Sequence, residues 1–264
     1  MSKLIDGVFY SSLIRKDMPY RVLVPDVVSL AGGSLPVLYL LHGLFGSCEN
    51  WTDLTGIKSY VDDANLLIVM PEGGDNWYTD SEEKYESYLI KELIPEIEGR
   101  FNAAADRGKR AIAGNSMGGY GALKIAFKHP EMFAFAASCS GAFHAAELPE
   151  DLTGCELTPS ISRVFGKAQS RIRVDNNLFD IARRASLKAN ELPGIYFDCG
   201  LEDKFISVNR KFAVTLSQAG IEYQYLEING GHDWSYWDRR IRYLVSSLKQ
   251  KFFNSNSDNW SDQL

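Results

Sequence analysis

The sequence predicts one α/β domain over residues 1–264, with a mostly parallel central sheet, an antiparallel N-terminal edge and helices on both faces. Three observations predict it. Short apolar runs such as Pro36–Leu41 and Leu66–Met70 read as strands buried on both faces. These runs alternate with helix-like segments, the pattern of parallel strands joined by crossover helices. Near the middle, Gly114-Asn115-Ser116-Met117-Gly118 joins an apolar run, Ala111 to Ala113, to a helix-like segment, Gly121 to Lys128.

Composition excludes several other classes. Apolar residues make up 45% of the chain and charged residues 23%, ordinary values for a globular enzyme. The formal net charge of −6 supplies no concentrated basic face, so nucleic acid is not an expected partner. No apolar run approaches the roughly 18 residues of a membrane-crossing helix, so no membrane partner is expected. The start, Met1 to Gly7, has no apolar core of a secretory signal. The four cysteines, Cys48, Cys139, Cys155 and Cys199, form no C-x-x-C pair, so buried free thiols and a cytoplasmic setting are expected. The histidines lack the spacing of a helical zinc site, and neither metal nor cofactor is implied. Oligomeric state stays open, a homo-oligomer included.

Taken in order, Val8 to Ser11 and Tyr20 to Val24 read as an antiparallel strand pair around a turn at Arg15-Lys16-Asp17. Ala31 to Ser34 reads as a loop before the Pro36–Leu41 strand. Trp51 to Ala64 reads as a helix, and Leu66 to Met70 as the next strand. Tyr85 to Phe101 has helical periodicity, with Pro95 placed to kink it. Arg110 to Gly114, Phe133 to Ser140, Gly194 to Gly200 and Ile221 to Ile228 complete the strands. Helices are expected over Phe205 to Ala219 and Tyr236 to Phe252, with a loose polar tail from Asn254 that includes Trp260. An insertion over about 141–193 shows no clear strand, has a helix-like piece around Leu178 to Ala189, and is placed to act as a lid. Its Arg163, Lys167, Arg171, Arg173, Arg183 and Arg184 fit either an acidic substrate or a solvated surface.

The chemistry centres on Ser116. A serine hydroxyl needs a base beside it to attack a carbonyl, and a strand-to-helix turn lifts it above the sheet edge. Small neighbours are required, and Gly114, Gly118 and Gly119 supply them. The helix start aims free N–H groups at the place where negative charge develops. His42-Gly43-Leu44-Phe45-Gly46 follows a central strand, so the N–H groups of Leu44 and Met117 are the candidate oxyanion donors. His42 itself is expected to brace that loop. For the base, His232 lies in a glycine-flanked loop after the last strand, ahead of His144 at the start of the insertion; His129 reads as helix-end capping. For the orienting acid, Asp203 is favoured over Glu202 and over Asp198, which sits inside a strand. Candidate pocket residues are Phe45, Trp77, Tyr78, His144 and Trp234. Trp77, Tyr78, Trp234 and Trp237 would suit a sugar ring or an aromatic acyl group, or simply form core.

Taken together, His42-Gly43-Leu44, Asn76-Trp77-Tyr78, Gly114 to Gly121, Cys199 to Asp203 and His232 to Trp237 resemble the esterase D-like branch of α/β hydrolases. That branch includes S-formylglutathione hydrolases, tributyrin-type bacterial esterases, feruloyl and acetylxylan esterase domains and mycolyltransferases. The resemblance spans nearly the whole chain and is nearest to the small tributyrin-type esterases. It implies a triad of Ser116, Asp203 and His232, with oxyanion donors at Leu44 and Met117. At the oxyanion loop the chain departs from S-formylglutathione hydrolases, which resemble Ser-Gly-Leu-Thr-Cys there. The expected activity is therefore serine carboxylesterase chemistry on small esters with short acyl chains, acetyl to butyryl, sugar acetyl or feruloyl esters included. A thioesterase of the S-formylglutathione type or an acyltransferase is the alternative on the same scaffold.

Overall fold

The computed structural model describes residues 2–25, 34–62, 64–149 and 156–253. Its eight strands are β1 (Lys3–Ser11), β2 (Lys16–Val24), β3 (Val37–Leu41), β4 (Leu67–Pro71), β5 (Arg110–Asn115), β6 (Phe135–Cys139), β7 (Gly194–Gly200) and β8 (Gln224–Ile228). They form one sheet in the order β1-β2-β4-β3-β5-β6-β7-β8. β2 pairs antiparallel with β1 and β4, and every other pairing is parallel. This is an α/β-hydrolase sheet, as the alternation of runs predicts. β1 and β2 begin earlier than their apolar residues suggest, so Lys16 and Asp17 lie in β2 rather than in the turn. At this sheet edge a polar side chain reaches water without leaving the ladder.

Side-chain alternation divides the interior into two cores. Val37, Tyr39 and Leu41 of β3 face one way, with Ile94, Leu123, Phe179 and Phe212. Leu38 and Leu40 face the other way, with Trp51, Ile57, Trp237 and Leu244. The covering helices are α1 (Asn50–Leu54), α2 (Ile57–Val61), α3 (Tyr85–Tyr88), α4 (Ile94–Arg100), α5 (Met117–Lys128), α6 (Thr158–Phe165), α7 (Arg171–Asn176), α8 (Leu178–Ala185), α9 (Ile206–Gln218) and α10 (Trp234–Phe253).

Three helices differ from expectation, each for a local reason. The Trp51–Ala64 helix is two pieces, because Thr55 is extended and the Gly56 N–H turns aside to Asp238 Oδ1 at 2.8 Å. The Tyr85–Phe101 helix widens into a π-turn over Leu89–Leu93. Pro95 has no N–H for the carbonyl one turn back, and the wider turn gives its ring room. α8 stops at Ala185 and continues as 3₁₀ turns over Ser186–Glu191.

Cys48, Cys139 and Cys199 are buried free thiols. Cys155, Gly154, the loop at 31–33 and the tail with Trp260 lie outside the described residues. Among the described residues no helix is long and apolar enough to cross a membrane.

Candidate active site

Ser116 stands at the turn from β5 into α5 with φ 52° and ψ −114°, a conformation that non-glycine residues rarely adopt. Packing holds it there. A Cβ on Gly114 would meet the Gly118 carbonyl carbon at 2.5 Å, and one on Gly118 would meet the Leu41 carbonyl oxygen at 2.4 Å. No side chain fits at either position, so strand, turn and helix pass at backbone distance. The Ser116 N–H donates to Cys139 O at 3.0 Å, and its carbonyl accepts from the Tyr120 N–H at 3.0 Å.

Two loops bring the partners. His232, between β8 and α10, places Nε2 at 3.0 Å from Ser116 Oγ. Its Nδ1 lies 2.9 and 3.1 Å from the two carboxylate oxygens of Asp203, in the loop after β7. A carboxylate only accepts, so Nδ1 carries the proton and Nε2 is left to accept from the serine. The imidazole is held edge-on between Phe205, at 4.8 Å between centroids, and Trp237, at 5.0 Å. Burial would raise the Asp203 carboxyl, but hydrogen bonds from His232, Ser140 and the Phe205 N–H outweigh it and hold it below the ordinary carboxylate range.

The competing residues are occupied elsewhere. Glu202 is exposed. Asp198 is buried and accepts from Arg240 Nε at 2.8 Å and from the hydroxyls of Tyr196 and Tyr236 at 2.7 Å. It fastens β7 to α10, the helix that begins beside His232. His129 ends α5 and lies 3.3 Å from Glu86. His144 packs on Phe205 at 5.1 Å.

The loop after β3 closes over the serine. A Cβ on Gly43 would lie 3.5 Å from Ser116 Cβ, which puts the Gly43 backbone close beside the serine. His42 braces it as expected: Nε2 accepts from the Gly73 N–H at 2.9 Å, so Nδ1 donates to Gly43 O at 2.8 Å. The Phe45 N–H donates to Asp75 Oδ1 at 2.7 Å, and the Phe45 ring stands 67% exposed.

A cavity of about 350 Å³ opens on Ser116 and His232. Leu44, Phe45, Leu54, Glu156, Leu157, Lys204, Phe205, Trp234 and Trp237 line it. Trp77, Tyr78 and His144 do not, which corrects the expectation that they form the pocket. Trp77 and Tyr78 both have left-handed backbones, with φ 54° and 48°, and are buried. Trp77 Nε1 donates to Ser160 Oγ at 3.0 Å, and the Tyr78 hydroxyl to His42 O at 3.1 Å. Tyr78 thus supports the loop after β3 from behind, while Trp77 packs against Tyr120 and Phe165. None of the six basic residues of the insertion lines the cavity. Arg163 instead donates to Asn76 Oδ1 and Asp75 O, and Arg173 to Gly166 O and Ala146 O. The insertion gives the cavity Glu156 and Leu157.

Sequence reasoning missed Leu54, Glu156, Leu157, Lys204 and Phe205. Adjacency to Asp203 could have found the last two. It also missed Lys124, two turns along α5 from Ser116 and fully buried. Its Nζ donates to Tyr78 O at 2.7 Å and Thr79 Oγ1 at 2.8 Å and pairs with Glu86 at 3.0 Å. Burial pulls its ammonium down to about 8, with Glu86 opposing.

The sheet and this serine–histidine–aspartate arrangement define the chain as an α/β hydrolase. Residues 11–244 match the family described as putative esterase, and the chain belongs to that family, in its esterase D-like branch. It is thus a carboxylic ester hydrolase. An acetyl esterase of Caldicellulosiruptor saccharolyticus is 30% identical over 250 residues, covering 88% of this chain and 93% of the relative. An esterase of Mycobacterium tuberculosis is 34% identical over 251 residues, and the match spans 85% of this chain but only 54% of that protein. The fluorophosphonate-binding serine hydrolase F of Staphylococcus aureus superposes with a TM-score of 0.85 at 25% identity, covering 94% of this chain and 98% of that one. A ferulic acid esterase superposes with a TM-score of 0.83 at 26% identity, covering 96% and 99%.

Proposed function

We propose that this chain is a serine carboxylesterase for short-chain acyl esters, acetyl to butyryl, among which sugar acetates and feruloyl esters are candidates. The observation that carries the reading is the hydrogen-bonded line from Ser116 Oγ through His232 to Asp203, at 3.0 and 2.9 Å. Ser116 attacks the ester carbonyl while His232 Nε2 takes its proton. Asp203 fixes the tautomer and stabilises the imidazolium. The carbonyl oxygen, now an oxyanion, is held by the N–H groups of Leu44 and Met117. His232 returns the proton to the leaving alcohol, and water then releases the acyl group by the same route. The cavity, about 350 Å³, is at the small end of ligand sites and favours a short acyl group. The acetyl esterase relative points the same way. The buried free thiols suit a reducing cytoplasm.

Initial rates on a p-nitrophenyl ester series from acetate to palmitate test the proposal, with Ser116→Ala alongside. A maximum at two to about four acyl carbons, lost in the variant by roughly 10³-fold or more, is expected. No turnover of any ester by the parent protein sinks it. Faster release of nitrophenol on adding an alcohol, with acylated alcohol as product, marks acyl transfer instead.

A further inference from the structure

In an ester bound for attack by Ser116, the carbonyl oxygen faces the Leu44 and Met117 amides. The alcohol oxygen must lie within reach of His232 Nε2, which protonates it. The alcohol half therefore occupies the His232 side of the cavity. Two charged residues stand there, Glu156 from the insertion and Lys204 beside Asp203. Glu156 Oε1 lies 2.7 Å from Lys204 Nζ. Lys204 Nζ also lies 5.4 Å from the centre of the Phe205 ring, and that ring packs on His232. The pair thus stands beside the ring that packs on the base. Lys204, and to a smaller extent His232, keeps the Glu156 carboxyl below its ordinary range, so it is ionised.

We propose that the Glu156–Lys204 pair sets the charge selectivity of the leaving-group side, admitting esters of uncharged alcohols and turning away esters of anionic ones; this rests on the esterase reading above. Both side chains are at least half exposed, and such a pair adds little to stability. Its effect is on the local field. While paired, the two charges cancel, and hydroxyl groups can accept from the ammonium or donate to the carboxylate. An alcohol that carries a carboxylate or phosphate must take Lys204 from Glu156 and then sit beside a like charge. Among the described residues lining the cavity, Lys204 alone carries a lysine or arginine charge. No second cation compensates.

The test compares kcat/KM for 4-nitrophenyl acetate and 3-carboxy-4-nitrophenyl acetate. The acyl group is the same, and intrinsic reactivity cancels when the anionic-to-neutral ratio is compared between variants. Glu156→Gln leaves an unpaired cation and should raise the ratio about fivefold at low salt. Salt at about 0.5 M should shrink that rise. Lys204→Gln leaves an unpaired carboxylate and should lower the ratio, and the double variant should fall between the two. A ratio within about twofold of the parent's in both single variants, with the neutral acetate still hydrolysed, overturns the proposal alone. Failure of the parent to hydrolyse the neutral acetate overturns the esterase reading first, and the selectivity with it.

Discussion

Ser116 and His232, the proposed nucleophile and base, are held by different physical means. Ser116 is fixed by backbone. Gly114 and Gly118 bring β5, β3 and α5 into direct contact, and Lys124 secures α5 from inside the core. His232 and Asp203 sit on two loops fixed by side chains, through the Phe205 and Trp237 rings and the Asp198–Arg240 anchor. A backbone clamp fails all at once, because nothing in it can rotate away. A side-chain clamp fails by degrees, because each contact can be loosened separately. Changes to the residues that clamp Ser116, Gly114, Gly118 and Lys124, should therefore cost folding, and changes on the His232 side should cost turnover.

The largest expected effect is on the base side. Asp203→Asn keeps the shape but lets the imidazole take the wrong tautomer, so kcat should fall roughly 10³–10⁴-fold with the melting temperature little changed. A matching fall in stability would erase the distinction between the two sides. Next, Lys124→Met removes a buried cation and leaves Glu86 with only Lys128 and His129. Breaking a buried pair costs about 3 kcal/mol, which at this size should lower the melting temperature by roughly 6–12 °C. Calorimetry checks it.

Acidity sharpens the same contrast. Burial would raise the Glu86 carboxyl, but Lys124, His129 and Lys128 hold it far below its ordinary 4.5. The folded protein binds the proton less readily than the unfolded chain. Its contribution to stability is therefore full above about pH 4.5 and is lost as pH falls further. Glu86→Gln should flatten the acid side of a melting-temperature profile, whereas an unchanged slope would remove Glu86 as its cause. The smallest effect is expected at Phe45→Ala, at the exposed lip of the cavity. KM should rise a few-fold, with kcat and melting temperature nearly unchanged, as loss of a partly exposed contact implies.

What could be read from the sequence follows the same division. The strands were legible because runs such as Val37 to Leu41 are apolar throughout. Ser116, His232 and Asp203 were legible as a candidate set because each stands in a short loop between a strand and a helix, in an order the proposed chemistry dictates. Less visible were features set by distant partners. The break at Gly56 depends on Asp238, far along the chain. Trp77 and Tyr78 share a polar loop with Asp75 and Asn76, and composition cannot tell that their left-handed backbones turn both rings inward. Glu156 reaches the cavity through the packing of the insertion, which carries no periodic signal. Lys124 looks like an ordinary helix-surface lysine until the 74–80 loop folds over it.

The φ of 52° at Ser116 has a consequence for the evolution of such chains. Glycine would occupy that turn with less strain, so Ser116→Gly should melt at a higher temperature while hydrolysing nothing. Selection for ester turnover and selection for thermal resilience then pull in opposite directions at one position. A descendant released from the need for catalysis would be expected to drift there first, becoming sturdier as it fell silent.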